Sequence, residues 1–131
     1  MPEPLRQREP RVRDEAHLRL VRQCPCVCCV ASRGRIHNES EAAHVRFGDP
    51  DYLKRPTGMA EKPSDQWTVP LCDVHHRHGN EAQHSMGEQY FWRTVWGIDP
   101  LALALELFTA PSLDDMRAAV IQAARSAKRR K

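Results

Sequence analysis

The chain has 131 residues, of which 40% are hydrophobic and only 6% aromatic, so we expect a single small domain with a modest apolar core. Its longest apolar-rich stretch, residues 101–108, is too short to cross a bilayer, and its Arg-rich start lacks the apolar segment of a signal peptide. These features argue against a membrane protein and against a secreted one, and we expect a cytoplasmic location.

The net charge of +3 is distributed unevenly along the chain. We expect residues 1–12 to form a flexible basic arm and residues 109–131 to form a C-terminal helix with a basic tail. Basic ends can bind phosphates because binding releases counterions, although the same charges also suit a solvated surface. The basic residues concerned are Arg6, Arg8, Arg11, Arg13, Arg19 and Arg22 at the start, and Lys128, Arg129, Arg130 and Lys131 at the end.

The first half of the chain predicts one short helix and two strands. The helix is expected over residues 14–23 and ends before Pro25, which directs the chain into a cysteine-rich turn. The sequence pattern predicts strands over residues 42–47, where His44 lies, and 66–71. Glycine and proline punctuate the long connection between the strands, so we expect it to be irregular.

The second half of the chain predicts three helices. The first covers residues 81–96, with a weak point at Gly87 because glycine has a low helix propensity. Asp99 is expected to cap a helix over residues 101–108, and Ser112 is expected to cap the last helix.

Two short motifs predict a structural zinc site. Cys26 and Cys29 form a CxxC pair, and Cys72 and His75 form a CxxH pair. Thiolate and neutral imidazole are ligands that zinc prefers, and closed tetrahedral sites use such paired spacings. Four of the five cysteines lie between positions 24 and 29, too close together for an ordinary disulfide framework, which also favours metal binding.

The assignment of the upstream zinc ligands leaves an alternative open. Cys24 and Cys28 form a CxxxC pair, and either could replace one of the two assigned thiolates. We favour Cys26 and Cys29 because their two-residue spacing and the proline before them match the pattern of the family that the order of motifs resembles.

The order of motifs resembles the HNH endonucleases, which have a ββα-metal core. A CxxC pair, a strand with His44, a loop, a second strand, a CxxHH motif and a helix follow one another. The segments HLRLVRQCPC, EAAHVRFG, KPSDQWTVPLCDVHHRH, HSMGEQYFW and GIDPLALAL are similar to small phage and prophage members, including the Ref-like recombination-enhancement nucleases. The resemblance covers residues 13–108.

The resemblance implies an α+β fold: a small ββα-metal core with a structural zinc knuckle, wrapped by several additional helices. It implies a nuclease domain over residues 13–108, with His44 as general base and His76 as ligand of a catalytic Mg²⁺ or Mn²⁺. The expected substrate is DNA, bound mainly through its phosphate backbone, in the cytoplasm of a bacterial host. A recombinase filament is a further partner that the resemblance implies.

The chain departs from the family pattern at two positions. Ala43 stands where many members have a metal ligand, and Trp67 replaces the usual central asparagine. We expect His84 to complete the shell of the catalytic metal, with Asp65 and Glu88 as weaker candidates. The departures also leave open an alternative function, a catalytically inactive zinc-stabilised module that binds nucleic acid or serves as an adaptor.

Several other polar and aromatic residues receive less specific predictions. The three histidines His17, His37 and His78 are expected to lie outside the chemistry, and the three tryptophans are expected to pack in the core. Five basic residues are candidates for phosphate contacts or for ordinary surface positions, namely Arg33, Arg35, Arg46, Lys54 and Arg55.

Overall fold

The computed structural model describes residues 11–58, 61 and 63–127. The α-helices are α1 (Glu15–Val21), α2 (Val27–Arg33), α3 (Gln83–Met86), α4 (Pro100–Thr109) and α5 (Leu113–Arg125), and the strands are β1 (Glu41–His44) and β2 (Thr68–Leu71). A 3₁₀ turn covers Pro50–Tyr52, and π-helical segments cover Val74–His78 and Tyr90–Trp96. The structure is therefore of the α+β class, as predicted.

The small sheet consists of two antiparallel strands. Glu41 pairs with Leu71 at one end of the ladder, and His44 pairs with Thr68 at the other. All four residues of β2 are buried, because helices α1, α2 and α4 pack against this strand. Strand β2 thus lies inside the domain, whereas in β1 only Ala43 is fully buried and the other three residues are partly buried.

The core fills the space between the sheet and the C-terminal helices. Helix α5 packs against α2 and α4. Trp67, Trp92 and Trp96 are all buried, which confirms the prediction that the tryptophans serve the core. The largest fully buried side chains also include Phe91, Leu71, Leu101, Leu103, Leu107 and Met116.

Helix caps follow the predicted residues. The Asp99 carboxylate accepts hydrogen bonds from the backbone N–H groups of Leu101 and Ala102 at 3.1 Å each. The Ser112 hydroxyl accepts from the Asp115 N–H at 3.1 Å. These side chains satisfy N–H groups that have no partner within the helix, so both cap predictions are confirmed.

The structure corrects several element boundaries. The helix expected over residues 81–96 is broken, because Gly87 has φ 89° and ψ 135°, a backbone conformation that only glycine adopts readily. Both strands are shorter than expected. The cysteine-rich segment after Pro25 is helical, since α2 (Val27–Arg33) begins directly after Cys26, and this helix was not predicted.

The long connection between the strands is partly ordered around Lys54. Asp49 and Lys54 form an isolated bridge, and the Lys54 ammonium donates hydrogen bonds to the carbonyls of Arg46 and Arg55 at 3.2 and 3.4 Å. Lys54 is only 8% exposed. Lys54 therefore supports the loop, and its burial speaks against both a phosphate contact and an ordinary surface position.

Most of the expected basic arm, residues 1–10, and the basic tail, residues 128–131, lie outside the described residues. Within the parts that are described, no helix combines the length and apolar character that crossing a bilayer requires.

His17 predicts a pH dependence of stability. It is buried on α1, its ring packs edge-on against Phe108 at 5.0 Å, and its Nε2 has no hydrogen-bond partner among the described residues. Burial lowers the pKa of His17, although the nearby charges of Asp14 and Asp65 oppose this shift. The unfolded chain, in which the pKa is near its usual 6.5, therefore binds a proton more readily than the folded protein does.

We expect the free energy of unfolding to decrease as the pH falls from 6.5 towards the lower pKa of the folded protein. His17→Leu should remove this part of the pH dependence, worth about 1.4 kcal/mol per unit of pKa difference. Urea unfolding of the wild-type protein and of His17→Leu, above and below pH 6.5, measures this difference in the free energy of unfolding. The difference between the two proteins isolates His17 from other groups that titrate, and identical pH dependences would contradict the prediction.

Candidate functional site

Four side chains converge on a point at which a metal ion would fit. The ligand atoms of Cys26, Cys29, Cys72 and His75 all lie within 4.8 Å of one another. The Cys29 and Cys72 sulfurs are 3.8 Å apart, and the His75 Nδ1 lies 3.5, 3.7 and 3.3 Å from the sulfurs of Cys26, Cys29 and Cys72. A tetrahedron with Zn–S bonds of about 2.3 Å has edges of about 3.8 Å. The predicted ligand set therefore has the spacing that zinc requires.

Two short segments supply these ligands. Cys26 immediately precedes α2 and Cys29 lies in its first turn, while Cys72 follows β2 directly. The chain then turns at once, since the His76 N–H donates to the Cys72 carbonyl at 2.8 Å. This turn brings His75 back over Cys72, and Trp96 packs edge-on against the His75 ring at 5.6 Å.

The electrostatics of the four-ligand cluster favour thiolates. Hydrogen bonding to Cys26 lowers the pKa of Cys29 to about 4 and that of Cys72 to about 6. The pKa of Cys26 is raised in turn by its hydrogen bonds to neighbouring thiols, Cys28 first among them. Metal binding therefore has two thiolates available and must displace the proton that Cys26 retains.

The alternative cysteines lie outside the four-ligand cluster. Cys24 is fully buried, and its sulfur lies 3.6 Å from the Leu20 carbonyl. Burial raises its pKa to about 11, so the group remains a thiol. Cys28 is also fully buried and is not one of the converging ligands. The choice of Cys26 and Cys29 as the upstream pair is supported.

Next to the four-ligand cluster lies a cleft of about 480 Å³. It brings together three predicted site residues from separate elements: His44 from the end of β1, His76 from the turn after β2, and His84 from α3. The full lining is His44, Arg46, Pro63, His76, Gln83, His84, Gly87 and Glu88.

His44 is held by a buried carboxylate. Its Nε2 lies 3.0 Å from Oδ1 of Asp65, which is 4% exposed. Burial alone would raise the pKa of Asp65, but the hydrogen bonds from His44 and from the Asp14 N–H lower it below its usual value. Asp65 is therefore anionic and engaged with His44, which speaks against its weaker assignment as a metal ligand.

His76 is held by a second carboxylate that the sequence did not single out. Its Nδ1 lies 2.7 Å from Oε1 of Glu41, and Arg77 binds the other oxygen of Glu41 at 2.8 Å. The hydrogen bond from Arg77 is the main reason why the pKa of Glu41 is lowered to about 2. The Nδ1 of His76 is thus occupied, and its Nε2 is the nitrogen that remains available as a ligand.

The ring of His84 lies beside that of His76, with centroids 4.8 Å apart. Burial lowers the pKa of His76, and the proximity of His84 adds to this effect, while Glu41 opposes it. The neutral imidazole, which is the form that binds metals, is therefore favoured. Among the described residues, however, no third potential ligand converges with His76 and His84, because groups of three or more occur only in the four-ligand cluster. A metal ion in the cleft would therefore have two protein ligands.

Two further residues of the cleft have structural partners. The Glu88 carboxylate accepts hydrogen bonds from the backbone N–H groups of Arg46 and Phe47 at 2.9 and 3.0 Å. Glu88 lines the cleft, and these hydrogen bonds speak against its assignment as a weaker candidate ligand. The Gln83 side-chain oxygen accepts from the Trp92 indole at 2.7 Å.

The two departures from the family pattern both lie in the core. Ala43 has no exposed surface, and Trp67 is 9% exposed with the Lys54 ammonium 5.8 Å from its ring centroid. Neither position therefore contributes a polar group to the cleft.

The candidate phosphate contacts are divided between engaged and exposed side chains. Arg46 donates to the Gly58 carbonyl at 2.8 Å, and Arg55 pairs with Glu61 at 3.0 Å. Arg33 and Arg35 lie exposed at the end of α2. His37 and His78 are exposed, as predicted.

Comparison of the chain with protein families, curated proteins and solved structures finds no match in any of the three.

Proposed function

We propose that this protein is a metal-dependent endonuclease of the HNH type, which hydrolyses phosphodiester bonds in DNA. The observation that carries the proposal is that His44, His76 and His84 meet in one cleft beside the four-ligand cluster. Each of the first two is oriented by a carboxylate, an arrangement that a purely structural histidine does not need.

The proposed chemistry assigns a separate task to each histidine. The Nε2 of His44 is bound to Asp65, so its Nδ1 is the nitrogen that accepts a proton from the attacking water. His76, held through Nδ1 by Glu41, and His84 would bind Mg²⁺ or Mn²⁺. When bound, such a cation neutralises charge on the phosphate and on the leaving oxygen.

A shell of two protein ligands is compatible with such a cation. Mg²⁺ keeps several water molecules and is commonly held by one or two side chains together with phosphate oxygens of the substrate. The hydrogen bond between Glu41 and His76 supports the assignment, because ligand histidines regularly donate their other nitrogen to a carboxylate.

The proposed partner is DNA, bound mainly through its phosphate backbone. Arg33 and Arg35 are exposed basic side chains, and the net charge is +3. Contacts of this kind carry no sequence information, so binding should weaken steeply with salt. A recombinase filament is a second proposed partner, on the basis of the resemblance alone.

The proposal is tested by the cleavage of plasmid DNA. The purified protein should nick or cut DNA with Mg²⁺ or Mn²⁺, and His44→Ala should reduce the rate about 10²- to 10⁴-fold, the usual contribution of a general base. Zinc content should remain unchanged, and the variant should lose about 1–3 kcal/mol of stability, the cost of removing one partner of the buried Asp65. His37→Ala is the matched control, since this histidine is exposed and its Nε2 pairs with Glu39. Full activity of the His44 variant would rule out the assigned base.

One observation favours a second candidate, a zinc-stabilised nucleic-acid-binding module without catalysis. The cleft provides two candidate metal ligands, His76 and His84. Among the described residues, a larger group of converging ligands occurs only in the four-ligand cluster. This candidate predicts that DNA is retained in a gel-shift assay at low salt and stays intact with every divalent cation tested.

A further inference from the structure

Asp65 occupies an unusual position for an ionised side chain. It is 4% exposed, and both of its oxygens have partners. Oδ1 lies 3.0 Å from the Nε2 of His44, and Oδ2 accepts the backbone N–H of Asp14 at 2.8 Å. The Arg11 guanidinium lies 3.9 Å from Oδ1 and balances the charge. A buried carboxylate with this set of partners is fixed in both position and orientation.

The chain before α1 provides the support for Asp65. Residues 11–14 run alongside residues 63–65, and we refer to this pairing as the N-terminal clasp. The Asp65 N–H donates to the Val12 carbonyl at 2.8 Å, and the Val12 N–H donates to the Ser64 hydroxyl at 3.0 Å. Arg11 also donates to the Pro63 carbonyl at 3.0 Å. Asp65 is therefore held from its backbone as well as from its side chain.

We propose that Asp65 is the positioning residue of the cleft and that it holds His44 in the tautomer with the proton on Nε2. The inference rests on the proposed function and extends it, because it assigns a role to Asp65 and to the N-terminal clasp. An anionic carboxylate only accepts hydrogen bonds, so the neutral ring of His44 must donate from Nε2. The unprotonated nitrogen is then Nδ1, the one that a general base requires.

The same contact stabilises the product of proton transfer. When His44 takes a proton from water, the ring becomes a cation that lies 3.0 Å from the Asp65 carboxylate, and the charge-assisted hydrogen bond between them stabilises this ion pair. The N-terminal clasp keeps the carboxylate in place during this change, so no reorganisation is needed. Asp65 acts through His44 and does not contact the reacting atoms.

The substitution Asp65→Asn separates this role from simple packing. The amide has nearly the same shape as the carboxylate, but its oxygen is needed to accept the Asp14 N–H. The amide NH₂ group then faces His44 and donates to Nε2, which forces the proton to Nδ1. We expect kcat for DNA cleavage to fall about 100-fold or more, with KM changed by less than a factor of about three.

The tautomer itself is read from the ¹⁵N chemical shifts of the His44 ring at alkaline pH. Wild-type protein should show the Nε2–H form and Asp65→Asn the Nδ1–H form. His37→Ala is the control, because this exposed histidine pairs with Glu39 at 3.2 Å and lies outside both the cleft and the N-terminal clasp; the His44 tautomer of this variant should match wild type.

The NMR measurement of the His44 tautomer tests the proposal even if Asp65→Asn does not fold or the wild-type protein does not cleave DNA. An Nδ1–H tautomer in the wild-type protein would overturn the proposal without any variant, which also covers the case in which Asp65→Asn does not fold. A variant that changes tautomer but keeps full kcat would overturn it as well. Absence of cleavage by wild-type protein, together with the Nε2–H tautomer, would count against the nuclease function while supporting the orientation of His44 by Asp65.

Discussion

Cys29→Ser is expected to prevent the four-ligand cluster from holding a zinc ion and to remove the cooperative thermal unfolding of the domain. Structural zinc sites contribute apparent binding free energies of about 10–16 kcal/mol. The total stability of a domain is about 5–15 kcal/mol. A chain of 131 residues with 6% aromatic residues has a small core with which to compensate for this loss. Zinc content by atomic absorption and unfolding followed by circular dichroism measure the effect.

Cys24→Ser provides the matched control for the zinc prediction. Cys24 is buried nearby, but its sulfur only approaches the Leu20 carbonyl at 3.6 Å, a contact that a serine hydroxyl can keep. This variant should retain one zinc ion per chain and lose about 1–3 kcal/mol of stability, the cost of burying a hydroxyl in place of a thiol. If Cys24→Ser lost the metal and Cys29→Ser kept it, the assignment of the upstream ligands would be wrong.

His76→Ala has the largest expected effect on activity. Loss of this side chain would leave His84 as the one assigned protein ligand of the catalytic cation. Cation catalysis of phosphate hydrolysis contributes several kcal/mol of transition-state stabilisation, which corresponds to about 10³-fold or more in rate. We expect cleavage to fall to background at every Mg²⁺ or Mn²⁺ concentration, with zinc content unchanged, measured by plasmid nicking and by metal analysis of the same sample.

Two further variants serve as comparisons for His76→Ala. His78→Ala removes a neighbouring exposed histidine whose Nδ1 lies 3.4 Å from Asp73, and it should keep wild-type activity. Glu41→Gln keeps His76 but weakens its orientation, and such partners of ligand histidines typically change metal affinity by about 10- to 100-fold. Its activity should therefore recover at high Mn²⁺ concentration. Recovery of His76→Ala under the same conditions would contradict the proposed role of His76 as a ligand of the catalytic cation.

The sequence was most informative where function depends on local spacing. Each zinc motif contains two ligands only three positions apart, Cys26 with Cys29 and Cys72 with His75. These short motifs predicted the cluster that the structure brings together. The caps at Asp99 and Ser112 were predictable for the same reason, since each interaction spans at most three residues.

The carboxylates that orient the histidines could not be predicted from spacing. Glu41 is 35 residues from His76, and Asp65 is 21 residues from His44, so only the strand register and the long loop bring each pair together. The one signal in the sequence was that Asp65 stands shortly before the second strand, near a loop expected to border the site. Helix α2 (Val27–Arg33) could not be predicted from propensity, because it begins with valine and cysteine residues, which have low helix propensity.

The direct succession of His75 and His76 restricts how this chain can change in evolution. His75 belongs to the four-ligand cluster, and the next residue, His76, belongs to the cleft. Adding or deleting one residue in a helical segment rotates the side chains that follow by on the order of 100° about the helix axis. An insertion between Cys72 and His76 would therefore misdirect at least one of the two histidines. Length variation among related chains should be absent from this segment and tolerated in the long connection between the strands.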